Sequence, residues 1–288
     1  MRNFSLHKIF SVAKTEYIKW VTNPRMIIII VMMVFIKSVA IDPLLDNSVE
    51  MNSPLNMLEP FIAVGNSGLV LLVLPIVYMT LMADFPKVDG NAIFYMIRTG
   101  KINWLIGQII FSIGAIITYL SVVFAGSVLP LLGRAFWANG WSLVVKQYDI
   151  LFPEKAGGVA AELVPKSLYN QLPPFSAAIQ SYILIALYLF ALSLIMILFY
   201  LFGMKILGTL TNGAIISIGV TFTSIKTSAM WLLPMANTII WLHHTSYFRE
   251  PIKPISYSYI YFVVLILVLL ISCVFAVRKS NFSTIKEV

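Results

Sequence analysis

Residues 94–112 read FYMIRTGKINWLIGQIIFS. An aromatic and apolar run is cut by Arg98-Thr99-Gly100-Lys101 and resumes at Trp104. It then stays apolar for longer than the ~20 residues that cross a bilayer core. Upstream, Pro86 and Asp89-Gly90-Asn91 carry turn chemistry. Residues 92–98 are expected to make about two helical turns before Gly100 stops them. Phe94, Tyr95 and Ile97 rest that short helix on the membrane, and Lys101 and Trp104 mark the interface where the spanning segment starts. A plain loop would be smaller and more polar. This one presents a firm surface to something in the cytoplasm.

The composition agrees with such a boundary. Of 288 residues, 59% are hydrophobic and 11% charged, and the mean hydropathy is +0.90. Soluble domains carry roughly a quarter charged residues, so the chain reads as an all-α, polytopic membrane protein. Its apolar segments are continuous, whereas a transmembrane barrel shows short alternating strands. Six spans are expected, at 26–41, 61–83, 102–132, 178–202, 206–225 and 257–277. Residues 230–242 are apolar but too short to cross, and Pro234 and Asn237 interrupt them; they read as re-entrant or interfacial. The organisation is then a connecting segment, 1–25, and one six-helix transmembrane domain, 26–288, with a long outer loop at 133–175. The single cysteine, Cys273, excludes an intrachain disulfide and lies among Leu, Val and Ile, where packing is its expected role. The net charge of +8 does not point to nucleic acid, because the cations flank spans instead of forming a basic run with interleaved aromatics.

Lysine and arginine set the expected orientation. Arg2, Lys8, Lys14, Lys19 and Arg25 precede the first span, and Lys87, Arg98 and Lys101 lie between the second and third. Lys205 follows the fourth, and Arg278, Lys279 and Lys286 follow the sixth. Glu16, Asp84, Asp89 and Glu287 are the acids on that side. The other side carries Arg134, Lys146, Lys155, Lys166, Arg249 and Lys253 against a larger set of acids, of which Asp42, Asp46, Glu50 and Glu59 crowd the first loop. The bias predicts a plasma-membrane protein with both termini in the cytoplasm.

Before the first span, Leu6, Ile9, Phe10, Ala13, Tyr17, Trp20 and Val21 share one face of a helical wheel, with Lys8, Glu16 and Lys19 opposite and Lys14 at the border. Such a helix is expected in the membrane interface, aromatics at headgroup depth. Asn23-Pro24 breaks it. A lipid anchor and a mechanical role suit it equally.

Chemistry is sparse. A phosphate-cradling loop needs Gly-x4-Gly-Lys-Ser/Thr, but Gly100-Lys101 continues into Ile102 and position 95 is Tyr. Any use of ATP therefore comes from a partner. His243 and His244 are neighbours that would point about 100° apart on a helix, and a wet outer surface suits them better than a metal. No serine–histidine–acid or paired-carboxylate set falls within a span. Lys37 either marks function or snorkels to the boundary, with Asp42 or Asp46 as counter-ion. The fifth span is the least apolar, carrying Thr209, Asn212, Gly213, Ser217 and Thr221. These form either an internal packing face or a helix at a subunit interface or solute pathway.

Amphipathic helix, six spans, the short helix of the second loop, a long outer loop and the interrupted stretch before span six occur together in one known layout. In these features the chain resembles the membrane subunits of type-2 ATP-binding-cassette (ABC) exporters. There the first helix is a connecting helix, and the loop after span two carries a coupling helix that docks on the ATPase. The resemblance implies that Asp89-Gly90-Asn91 stands for the family's acid-glycine start, residues 92–98 for the coupling helix and Thr99-Gly100-Lys101 for the turn after it. Gly107-Gln108 takes the place of Gly-Lys, and the usual run of glutamates is reduced to Asp84 and Asp89. ATPase contacts are implied at Asp89, Gly90, Ile93, Met96, Arg98, Thr99, Gly100 and Lys101. The connecting helix would be seated by Phe10, Tyr17 and Trp20. Thr209, Asn212, Gly213, Ser217 and Thr221 would line a pathway or dimer interface. The implied partners are two cytoplasmic ABC ATPase subunits holding ATP and Mg, a second permease subunit, identical or not, and the lipid bilayer. The chain itself would carry no cofactor, metal or catalytic residue, and would export an amphipathic or hydrophobic substrate. The alternatives are an ion-coupled secondary transporter, which wants mid-membrane acids and inverted repeats, and a non-transporting sensor or immunity module.

Overall fold

A computed structural model describes residues 4–86, 98–244 and 252–279. The chain is mostly helical, and five helices among the described residues are long and apolar enough to cross a membrane: Pro24–Glu50, Lys101–Leu131, Pro174–Leu201, Lys205–Ile225 and Ile255–Lys279. Residues 87–97, with Asp89, Gly90, Ile93, Met96 and most of the predicted coupling helix, lie outside the described residues.

Helix α1 (Leu6–Val21) ends at Thr22, and Asn23 caps the next turn by accepting the Arg25 N–H. From Pro24 the chain forms a single rod: a 3-10 turn, α2 (Ile27–Ile36), a π-helical turn at Lys37–Ile41 and α3 (Asp42–Glu50). Pro43 explains the π turn, because its ring crowds the carbonyl four residues back and a wider turn relieves that crowding. The rod continues to Glu50, well past the predicted end at 41. Lys37 Nζ sits 2.6 Å from Asp42 Oδ1, so the first of its two candidate counter-ions holds it.

The predicted second span, 61–83, is two helices. α4 (Glu59–Asn66) and α5 (Gly68–Leu81) meet at 84°. Ser67 makes the break: its backbone is extended and its hydroxyl accepts the Val70 N–H, the signature of a fresh helix start. α6 (Lys101–Val128) follows Gly100, whose φ of +92° is open to glycine but strained for other residues.

Between α6 and the next long helix lies a cap. Its strand β2 (Ala135–Phe136) pairs in parallel with β1 (Leu55–Asn56), which comes from the segment before α4, and three short helices follow β2: α7 (Leu143–Leu151), α8 (Val159–Leu163) and α9 (Lys166–Tyr169). Glu59 staples the cap to α4. Its carboxylate is fully buried and accepts the N–H of Asn56 at 3.1 Å and of Ser142 at 2.7 Å. Asn56 donates to the carbonyls of Ala138 and Gly140, and Asn66 donates to that of Leu163. At the end of α3, Glu50 accepts from Tyr148 and pairs with Lys155.

α10 (Pro174–Leu201) is buried along most of its length and packs against α4, α6, α11 (Lys205–Ile225) and α12 (Ile255–Lys279). Three 3-10 turns, Ser228–Leu232, Ala236–Thr238 and Ile240–His243, occupy the stretch expected to be re-entrant. Cys273 is buried on α12, its thiol 3.7 Å from the Leu194 carbonyl.

Candidate functional site

α11 divides the residues that its sequence had grouped. Gly208, Asn212, Ile216 and Gly219 are buried, and they recur at helical spacing on the side packed against α10 and α5. A Cβ on Gly208 would stand 2.8 Å from that of Phe199, so the close crossing there requires glycine. Asn212 is fully buried, donates to the Leu192 carbonyl at 2.9 Å and approaches Met79 Sδ at 3.4 Å. It therefore ties α11 to α10 and α5 and does not join the other four. Thr209, Gly213, Ser217 and Thr221, each four residues from the next, form a second stripe, and all are exposed. Thr221 satisfies its own hydroxyl on the Ser217 carbonyl at 3.0 Å. Nothing lies within 4 Å of a Cβ built on Gly213. Beside α11, α5 leaves Leu69, Ile76 and Thr80 exposed.

α1 lies against the first half of α6. Ile9, Val12, Ala13 and Trp20 are buried, and a Cβ on Gly107 would meet Val12 Cβ at 2.7 Å and the Ile9 carbonyl oxygen at 3.0 Å. The Tyr17 hydroxyl is 2.8 Å from Thr118 Oγ1, and Trp20 packs edge-on against Phe111. Phe10 departs from the predicted seat: it is 58% exposed, whereas Tyr17 and Trp20 both contact α6. The wheel's single apolar face is thus two, one against protein and one outward with Leu6 and Val21.

α1 also touches the turn before α6. The Ser5 N–H reaches Asn103 Oδ1 at 3.4 Å, and Lys8 Nζ reaches the Arg98 carbonyl at 3.5 Å. Of the predicted coupling residues within the described segments, Arg98 is exposed, Gly100 and Lys101 are half-buried and Thr99 is buried, its carbonyl accepting from Asn103. Beyond the other end of α1, Arg25 and Asp84 join the ends of the first rod and α5 in a 2.8 Å ion pair.

No family model matches the chain, and neither a curated protein nor a solved structure does. Its own geometry is what bears on function.

That geometry holds a constellation that sequence reasoning missed. His243 Nδ1 is 2.8 Å from the Lys253 carbonyl, and Nε2 is 3.1 Å from Ser258 Oγ, which donates to Asn237 Oδ1 at 2.7 Å. Asn237 in turn donates to the carbonyls of Trp231 and Leu233. The histidine expected on a wet surface is 6% exposed and stacked near Trp231. Burial pushes its imidazole below the ordinary value, and the bond to Lys253 opposes that shift. Ser258 is 0% exposed, so the chain of bonds braces the 3-10 turns on α12 and gives no reagent access to the hydroxyl. The only sequence signal was the pairing of His243 with Asn237 in one short apolar stretch.

Proposed function

We propose that the chain is the permease subunit of an ABC exporter, with α4 and α5 together forming one crossing, six crossings in all, and both termini cytoplasmic. The observation that carries this proposal is the exposed stripe of Thr209, Gly213, Ser217 and Thr221 on α11. Small residues at four-residue spacing let a second helix approach closely, and hydroxyls suit a face that meets protein or a hydrated solute better than lipid tails. The buried side of the same helix, pinned by Asn212, explains why the stripe is left over instead of being consumed by internal packing. Two such subunits facing one another enclose a pathway for an amphipathic or hydrophobic substrate. Two cytoplasmic ATPase subunits, holding ATP and Mg, drive it by pressing on residues 89–101. α1 supports that push, since Lys8 and Ser5 brace the turn that leads into α6.

The test is purification in mild detergent from membranes of the producing cell. A nucleotide-hydrolysing subunit should accompany the wild-type chain. It should be lost when Ile93, Met96 and Arg98 are replaced together by alanine, with the permease pair still intact. A wild-type preparation that retains its fold and carries no ATPase counts against the proposal.

A further inference from the structure

The break at Ser67 opens into a cleft of ≈ 650 Å³ between the cap, the end of α11 and the 3-10 turns. That is the size of a small-molecule site, ~300–1,000 Å³. Three independent features make it a built site. First, α5 starts there: Gly68 lines the cleft with open space where a Cβ would sit. The amides of Gly68 and Leu69 have no intrahelical acceptor, whereas the Ser67 hydroxyl has taken that of Val70. Second, Asn66 lines the wall at 4% exposure; its amide nitrogen serves the Leu163 carbonyl, and its Oδ1 has no hydrogen-bond partner. Third, Lys166 and Lys226 stand on the rim against a single acid, Glu162. Lys226 holds the left-handed end of α11 at φ +57°, its Nζ 5.9 Å from the Trp241 ring centre. Met235 and Ile239 supply an apolar wall.

These features ask for complementary chemistry. A helix start and two lysines attract an anion, an unpartnered carbonyl oxygen asks for a hydroxyl or N–H donor, and the apolar wall asks for a tail. Glu162 and the carbonyl end of α11 oppose an anion, and Lys226 stands at the latter. We propose that the cleft binds an anionic amphiphile whose head carries both a phosphate or carboxylate and a hydroxyl donor, the anion between Lys166, Lys226 and the start of α5, the donor on Asn66. The cleft lies within one chain, so the proposal stands apart from the permease reading and can succeed where that one fails.

The experiment uses the full chain in neutral detergent with lysophosphatidylglycerol, its uncharged counterpart monooleoylglycerol, and glycerol 3-phosphate, binding being read by native mass spectrometry. Lysophosphatidylglycerol is expected to bind at least about tenfold more tightly than monooleoylglycerol, the scale of one charge-assisted contact. Lys166→Gln with Lys226→Gln should erase that difference, Lys226→Arg should keep it, and Glu162→Gln should strengthen binding. Competition by glycerol 3-phosphate at a concentration matching its lipid form would leave the apolar wall without a role and overturn the amphiphile; weak competition supports a lipid head. Equal binding of charged and uncharged lipids, or indifference to the lysine pair in a variant that elutes as folded protein, overturns it. Tighter binding to Glu162→Gln remains a readout if the lysine variants fail to fold.

Discussion

Removing the Glu59 carboxylate leaves two buried amides, those of Asn56 and Ser142, without acceptors. Each orphaned donor costs about 1–3 kcal/mol. Glu59→Ala should therefore lower the melting temperature and open residues 133–173 to protease, while Glu59→Gln, which keeps one acceptor oxygen, should do less. Unchanged cleavage in Glu59→Ala would refute the staple. His243 gives a pH prediction. Its folded-state affinity for a proton is below the ordinary value of 6.5, so as pH falls through that value the unfolded chain takes up a proton before the folded one does. Stability falls with acidification below about pH 6.5. The loss is measured as a falling melting temperature between pH 7.5 and 5.5, and His243→Gln should flatten it. Neither role was legible in the sequence. Glu59 counted only as one of several acids in a loop, because its partner Ser142 is 83 positions away and offers a backbone amide that every residue shares. His243 looked wet because its neighbours in sequence do not reveal Trp231 and Ser258 closing over it.

The helices themselves were the readable level. Continuous apolar length is a local property, and five of the six expected spans fall on helices long and apolar enough to cross a membrane. The break at Ser67 escaped because residues 61–81 stay apolar through it, and a serine beside a glycine is an ordinary pair within a membrane helix. The wheel placed Phe10 with Trp20 because it cannot tell a face that meets protein from one that meets lipid. Gly107 decides how α1 sits on α6. Alanine there gains up to ~1 kcal/mol of helix preference, but its methyl would overlap Val12 Cβ and the Ile9 carbonyl, atoms that cannot rotate away. Overpacking of this kind costs about 1–3 kcal/mol. Gly107→Ala should expose α1 to protease and lower stability, whereas Gly213→Ala, with open space around it within the chain, should leave α1 protected. Equal behaviour of the two would contradict the packing of α1.

At the scale of the molecule, the two stripes of α11 separate what is packed inside the chain from what is exposed. With Cys273→Ala removing the native thiol, Ser217→Cys labelled with benzophenone maleimide should photo-cross-link to a second membrane subunit in native membranes, and Asn212→Cys should not, its position being fully buried within the chain. A dimer of the chain itself would identify the second subunit as a copy, and a heavier or lighter adduct as a different permease. Cross-linking at 212 with none at 217 would reverse the assignment of faces. The sequence listed all five residues as one group, because hydroxyls and small side chains mark both sides of this helix and only its neighbours, α5 and α10, distinguish them.

The Glu59 staple has a further consequence during synthesis. A ribosome makes the carboxylate and β1 long before it makes β2 and Ser142, with the whole of α6 translated in between. Until Ser142 arrives the acid keeps water as its solvent, and α4 has no reason to settle into its bent seat against α5. The order in which the nascent chain emerges thus makes the cap the last piece to lock the bent α4–α5 pair, and a ribosome stalled within α6 would hold that pair unfinished.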